Sequence, residues 1–397
     1  MPLSRIAVRL QAGPVPAAAG VALCGLLALA LAMGVGRFGY TALLPQMRDE
    51  GWVDLSGGGV LAAANYLGYL VGALWAAFSR AADGRRRLAW GLLTSVASTF
   101  AMGLDLGLGA WCGVRFVAGW ASAAVYVYAT GLVLRRLAAC DAAGWTALHY
   151  MGVGTGIALS AVVAMGVQEH GSALQGWWIL GALATLAALF AAAGLLRLEI
   201  PHPPVSASGR APVPVAPPLG WLAAAYGLAG FGYIVNATFL PVILRSQSGT
   251  SQAGLQGWLL VGLAALPATL LWVRLSFRWG VYPALITATL VQAVGVALPV
   301  LAEGHGAALV GAALLGGTFM GIAGLAQWLA RVPDPHATAR RIGLITACYG
   351  VGQIAGPLVV AWWGRDGGLR LPVLAAAAAL LLSAVLLEVS RRREGLV

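Results

Sequence analysis

The feature that most constrains this chain is a run of apolar segments, each about the length of a bilayer crossing, that recurs from one end to the other. A helix needs about 20 apolar residues to span the hydrocarbon core. That ruler gives twelve spans, at roughly 20–45, 58–79, 88–108, 111–134, 145–167, 174–196, 219–244, 255–274, 281–302, 306–330, 342–363 and 370–390. Only 9% of the 397 residues are charged, against 60% hydrophobic. No soluble fold of this length covers itself with so little polar surface, so the expected class is an all-α integral membrane protein. The apolar run behind Arg5 and Arg9 is too long for a secretory signal and reads as the first span.

The charges then orient the spans. All 24 basic residues are arginine. Alternating the sides places eighteen of them on the face that carries both termini and four on the other: Arg48, Arg245, Arg365 and Arg370. The positive-inside rule therefore puts both termini in the cytoplasm. A miscounted span would scramble this split. The net charge of +11 is accounted for by these loops, so no nucleic-acid partner is implied. Four scattered cysteines, with no histidine at ligand spacing, point to neither metal nor disulfides. Nothing indicates a cofactor.

The segment Leu198–Pro218 interrupts the pattern with seven of the 19 prolines. It reads as a cytoplasmic linker, dividing the chain into 1–197, 198–218 and 219–397, six spans on each side. The halves also echo one another. Phe38–Tyr40 and Phe231–Tyr233 both read FGY. GVGTGIALSA from Gly152 aligns with GVGQIAGPLV from Gly350, and Gly119 aligns with Gly317 at the same spacing. Repeated six-helix halves are a transporter architecture with the substrate held between them.

Twelve spans, a proline-rich middle loop and related halves resemble the major facilitator superfamily. GVGRFGYTALLPQM, AAANYLGYLVGALWA and GVGQIAGPLV resemble its YbfB-like branch of bacterial transporters. The resemblance implies two pseudo-symmetric six-helix bundles, a place in the bacterial inner membrane, a monomer, and alternating access driven by a gradient, with the proton as coupling ion. The superfamily's loop motif G-x-x-x-D-R-x-G-R-R survives only in part as AFSRAADGRRR. Gly84, Arg85 and Arg86 match, while Asp83 stands nearest to the missing acid. Asp83, Arg85, Arg86 and Arg87 are thus gating candidates, expected to meet the inner ends of neighbouring helices when the protein opens outward. The R-x-x-x-G motif is present as Arg115 and Gly119.

Two arginines lie inside spans. Arg37 is eight residues from Pro45, roughly 12 Å along a helix, too deep to snorkel to water. Unpaired in hydrocarbon it would cost at least about 2.5–3.5 kcal/mol, so it must face water, an anion or a carboxylate. Arg115 begins a stripe that continues through Gly119, Ser122, Tyr126 and Thr130 and reads as a cavity wall. Tyr40 beside Arg37, Asn65 and Tyr69 on one face of the second span, and Tyr233, Asn236 and Gln353 from the second half complete the candidate substrate site. An anionic organic solute held by the guanidinium fork is one reading. The other is an arginine that pairs with Asp105, Asp49 or Glu50 to lock helices. His149, Asp105 or the substrate's own charge could carry a coupling proton. No catalytic cluster favours a membrane enzyme. Abundant Trp and Tyr keep an exporter of amphipathic drugs as the alternative.

Overall fold

The computed structural model describes residues 15–77, 83–198, 219–248, 250–302, 304–332, 334–363 and 368–394. The loop residues Arg80, Ala81 and Ala82, and the linker from 199 to 218, lie outside these. The first span is built in two pieces. Helix α1 (Val15–Leu29) passes into a π-helical stretch, Ala30–Val35, then through a turn into α2 (Gly39–Asp49). The later spans are α3 (Leu55–Ala77), α4 (Gly84–Ala101), α5 (Gly107–Ala139), α6 (Thr146–Gln168) and α7 (Ala173–Leu195) in the first half. The second half holds α8 (Leu219–Ser248), α9 (Ser251–Trp279), α10 (Val281–Leu301), α11 (His305–Leu329), α12 (Pro335–Trp363) and α13 (Arg370–Glu394). Eleven candidate crossings are long and apolar enough by composition. The remaining helix, α4, is 18 residues long and opens with Arg85, Arg86 and Arg87.

The third span differs most from expectation. Its helix ends at Ala101 rather than near 108, and Asp105 falls in the connecting loop. The chain tightens there, with Gly103 N–H donating to Phe100 O at 2.9 Å and Leu104 N–H to Ala101 O at 3.2 Å, while the indoles of Trp178 and Trp111 donate to the Gly103 and Leu104 carbonyls. Gly107 has φ +72°, a left-handed conformation that glycine adopts without penalty, and it starts α5. Helix α7 begins with a reciprocal capping box between Ser172 and Gln175.

Inside each half, α3 and α4 lie on α5, α1 on α6, α8 on α12 and α13, and α9 on α11. Lipid supplies no hydrophobic drive for helix association, so close backbone approach carries it. A Cβ on Gly119 would stand 1.9 Å from the carbonyl oxygen of Asn65 in α3, and one on Gly316 would stand 2.2 Å from that of Val261 in α9. These are equivalent contacts in the two halves. A Cβ on Gly317, the expected partner of Gly119, would meet nothing within 4 Å. The same correction applies to α6 and α12. Gly152 presses on Leu26 of α1 and Gly352 on Gly227 of α8, so Gly152 corresponds to Gly352 rather than Gly350. Leu26 then corresponds to Gly227, which separates the two FGY triplets by about two helical turns. The repeat is real in packing, but its register is not that of the matching letters.

The halves meet where α3 packs on α12, α6 on α9 and α2 on α8. Among the described residues, polar contacts that cross between them include three. Thr41 Oγ1 donates to the Ala237 carbonyl at 2.8 Å, Tyr66 and Thr238 share a hydroxyl–hydroxyl bond of 2.9 Å, and Arg245 pairs with Asp49. All three lie toward the end that the arginine bias assigns to the outside.

Candidate functional site

The break in the first span organises the site. In the π-helical stretch the Gly36 N–H donates to the Leu31 carbonyl at 2.8 Å and the Phe38 N–H to the Met33 carbonyl at 3.2 Å, both five residues back. Widening the helix this way leaves main-chain carbonyls without their usual donors, and in a membrane interior they need new ones. Helix α5 supplies them. Ser122 Oγ donates to Ala32 O at 2.6 Å; Arg115 Nη1 donates to Gly36 O at 3.0 Å and Nη2 to Arg37 O at 3.1 Å. Arg115 is 1% exposed and lies over the Tyr40 ring at 4.7 Å. The stripe expected to wall a wet cavity is therefore turned, at Arg115 and Ser122, onto broken backbone.

Other candidates are likewise occupied within the bundles. Tyr40 donates to Gly58 O of α3 at 2.9 Å. Asn65 Nδ2 donates to Arg115 O at 2.9 Å, and Asn236 Nδ2 to Val296 O at 3.0 Å. The sequence put Asn65 on the same face as Tyr69; the helix instead aims Asn65 at α5 and brings Tyr66 and Tyr69 together, three residues apart.

Arg37 is held differently. It is 3% exposed, and its Cζ sits 4.2 Å from the Tyr69 ring centre, 4.9 Å from Tyr66 and 5.3 Å from Phe38. Among the described residues no carboxylate reaches salt-bridge distance. Its Nε and Nη2 are buried without a hydrogen-bond partner. These two nitrogens share one edge of the planar guanidinium, so their N–H groups run parallel, as a carboxylate would accept them. Three ring faces offset part of the cost of the buried charge, each by about 0.5–2 kcal/mol, but they leave this edge unsatisfied.

Facing it is the second half. Tyr226, Tyr349, Tyr233 and Phe319 form a column of near-parallel rings, with centres 4.2, 5.6 and 6.0 Å apart. Phe38 joins it edge-on at 6.4 Å from Phe319, and meets Trp258 at 6.2 Å. Gln353 Nε2 donates to Tyr233 Oη at 2.5 Å, while Gln353 Oε1 and Trp258 Nε1 are buried and unpartnered. Tyr233 lies within electrostatic reach of Arg37. The void bordered by Phe38, Tyr233, Trp258 and Phe319 is about 10 Å³, room for no more than a water. Tyr69, Tyr126 and Tyr349 are only partly buried, so this chamber is least enclosed beside α3, α5 and α12. The sequence gives no sign of Tyr66, Tyr226, Tyr349, Phe319 and Trp258 as site residues, because single aromatic residues in apolar runs carry no period that marks a site.

The gating and coupling candidates lie elsewhere. Asp105 is exposed in its loop and is not Arg37's partner. Asp49 is committed to Arg245, and Glu50 accepts from Trp52 Nε1 and Ala173 N. His149 is fully buried inside the first half, where Nε2 shares a hydrogen bond with Thr130 at 3.0 Å and Nδ1 faces the Cα of Gly25. Arg87 pairs with Asp83 at 3.2 Å and lies over Trp75 and Tyr128, Arg85 donates to Leu198 O, and Arg86 is exposed. At the opposite end two vestibules of about 640 and 300 Å³ flank the Asp49–Arg245 pair.

Known proteins agree with this architecture. Among solved structures, a point mutant of the nucleoside transporter NupG superposes with a TM-score of 0.67 at 13% identity, over 94% of this chain and 99% of that one. A D-xylose–proton symporter gives 0.68 at 14%, over 94% and 96%. A bacterial homologue of the human lysosomal transporter Spinster, inward-facing and unoccupied, gives 0.66 at 14%, over 96% and 98%. At these identities the likeness is one of fold. A curated relative from Deinococcus radiodurans, named "Putative sugar efflux transporter", is 32% identical over 241 residues, 56% of this chain; the match spans 59% of the relative's length. The family described as "Uncharacterised MFS-type transporter YbfB" matches residues 29–388. The chain therefore belongs to the YbfB family of major facilitator superfamily transporters: a multi-pass membrane transporter, not an enzyme.

Proposed function

We propose that the chain is a secondary active transporter of the bacterial inner membrane that moves a small anionic organic solute by alternating access. Halves 1–197 and 219–397 rock about the chamber, joined by the linker 198–218, with both termini cytoplasmic. The carrying observation is the free edge of Arg37. A buried guanidinium with Nε and Nη2 unpartnered, ringed by aromatic faces and lying between the halves, is what a carboxylate would complete. Arg115 presents no free fork to a second carboxylate, because Nη1 and Nη2 are engaged by the Gly36 and Arg37 carbonyls and Nε alone is left unpartnered. With His149 enclosed and Asp105 exposed, the substrate's own carboxylate is the group best placed to carry a coupling proton.

The second reading is efflux of neutral or amphipathic compounds. The ring column favours it, as does the name of the Deinococcus relative, which speaks of sugar efflux. Uptake and efflux in proteoliposomes with organic anions, neutral sugars and lipophilic cations separates the two. Transport confined to anions and lost in Arg37→Lys, which keeps the charge but not the fork, supports the first. Transport of cations or sugars untouched by that substitution would replace it with the second.

A further inference from the structure

The chamber carries more than a charge. Besides the Arg37 edge, two other buried polar atoms around Tyr233 lack partners. One end of the Gln353 amide is unbonded while the other holds Tyr233 Oη, and Trp258, whose ring borders the same void as Tyr233, has its Nε1 buried and unpartnered. Exchanging O and N of the amide would change which end is free, not that one end is free. Unpaired buried polar groups are costly, so a substrate that satisfies them gains selectivity over one that does not. A hydroxyl is the small group that both donates and accepts, so it can serve either end of the amide and also accept from the indole N–H. The surrounding surface is flat. Tyr233 and Phe319 are parallel to within 1°, Tyr233 and Tyr349 to within 13°, and Phe38 and Trp258 close the sides. Parallel and edge-on rings match a flat body through stacking, whereas a puckered or flexible chain makes poorer contact. The unpartnered Nε–Nη2 edge of Arg37 fits one carboxylate.

We propose that the substrate of this site is a hydroxylated aromatic monocarboxylate: carboxylate on Arg37, ring against the Tyr233–Phe319–Tyr349 column, hydroxyl toward Gln353 and Trp258. This rests on the anion reading above and narrows it. The void is too small for a ring as it stands, so binding must part the rings of the two halves, and occupancy is tied to their relative position.

The test is a ligand series on the purified full-length protein in detergent. Thermal stabilisation and equilibrium affinity are read for 4-hydroxybenzoate, benzoate, cyclohexanecarboxylate, hexanoate, 4-hydroxybenzyl alcohol and glucose. The expected order is 4-hydroxybenzoate above benzoate, with the two non-aromatic carboxylates at least about tenfold weaker and the uncharged compounds inactive. Gln353→Leu should remove the preference for 4-hydroxybenzoate over benzoate, a loss of about tenfold in the ratio of the two affinities for one buried hydrogen bond. Equal responses to hexanoate, cyclohexanecarboxylate and benzoate would overturn the aromatic assignment while leaving the anion reading standing. Binding of glucose or the alcohol with no response to any carboxylate would overturn both. No response to the aromatic acids at millimolar concentration would also overturn the assignment. The wild-type series decides even if Gln353→Leu fails to fold.

Discussion

The two membrane-embedded arginines should answer the same substitution in opposite ways. Methionine keeps much of the length of arginine and removes the charge and the donors. In Arg115→Met, the carbonyls of Gly36 and Arg37 lose donors at 3.0 and 3.1 Å. A hydrogen bond from a charged group contributes about 1.5–3 kcal/mol, so the substitution should destabilise the fold by about 3–6 kcal/mol. The damage falls on the break between α1 and α2, whose other freed carbonyl, at Ala32, keeps Ser122. In Arg37→Met no such charged bond to main chain is lost. Three cation–π contacts disappear, but so does a buried charge with two orphaned donors, and the terms are of similar size, about 0.5–2 kcal/mol per ring against about 2.5–3.5 kcal/mol for the charge. The net change in stability should lie between a gain of about 2 and a loss of about 3.5 kcal/mol. Binding of an organic anion should fall by about 2–5 kcal/mol, at least about 30-fold, the usual cost of removing one partner of a buried charge pair. The measurements are thermal denaturation of detergent-purified protein and equilibrium anion binding on the fraction that remains folded. A stable Arg115→Met that has lost binding, or an unstable Arg37→Met that still binds, would refute the division of roles.

Three further outcomes follow from the packing and the charge pairs. Gly119→Ala and Gly316→Ala should each cut the yield of folded protein, because the new methyl meets backbone at about 2 Å, while Gly317→Ala should be silent; equal behaviour of Gly316 and Gly317 would sink the structural register of the repeat. Asp49→Arg should loosen the end closed by the Asp49–Arg245 pair, raising thiol labelling of a Val242→Cys probe from outside, and a second change, Arg245→Asp, should restore protection. Stability should move by no more than about 1 kcal/mol, since both side chains are partly exposed; labelling that ignores the pair would show that it gates nothing. His149→Gln should lower stability yet leave the pH profile of transport in place, because the ring is enclosed against Gly25 and Thr130; a lost pH profile would return His149 to the coupling path.

What was legible in the sequence was whatever repeats. Membrane class and helix count rest on twenty-residue averages that survive local errors. The misreadings came where one residue's partner is main chain rather than another letter. Arg115 and Ser122 stand at helical spacing with Tyr126, which looks like a wall, yet the groups they bond, Ala32 O, Gly36 O and Arg37 O, have no signature in sequence. Neither does the π-helical widening, since its residues Ala30–Val35 are as apolar as those of an ordinary span. With 55 glycines available, matching letters between the halves fell out of step with matching contacts.

The same physics explains why one buried arginine requires the other. A continuous first helix would satisfy its own backbone and need nothing from α5. Opening it at Ala30–Val35 and turning it at 36–38 frees carbonyls at membrane depth, where no water can take them. A guanidinium on α5 can reach two such oxygens at once, and its charge is offset by their dipoles and by the Tyr40 ring. A lysine would present three donors on one nitrogen and could not span both with fixed geometry. Once the carbonyls of Gly36 and Arg37 are tied to Arg115, the main chain at Arg37 is fixed, and its side chain is held among Tyr66, Tyr69 and Phe38 with one edge unspent. Arg115→Lys therefore discriminates more finely than Arg115→Met. It should keep the positive charge that a substrate-binding role would need, and still lose stability, with anion affinity falling only as far as the α1–α2 break loosens. Retained stability with abolished binding in Arg115→Lys would mean that the second arginine meets the substrate after all.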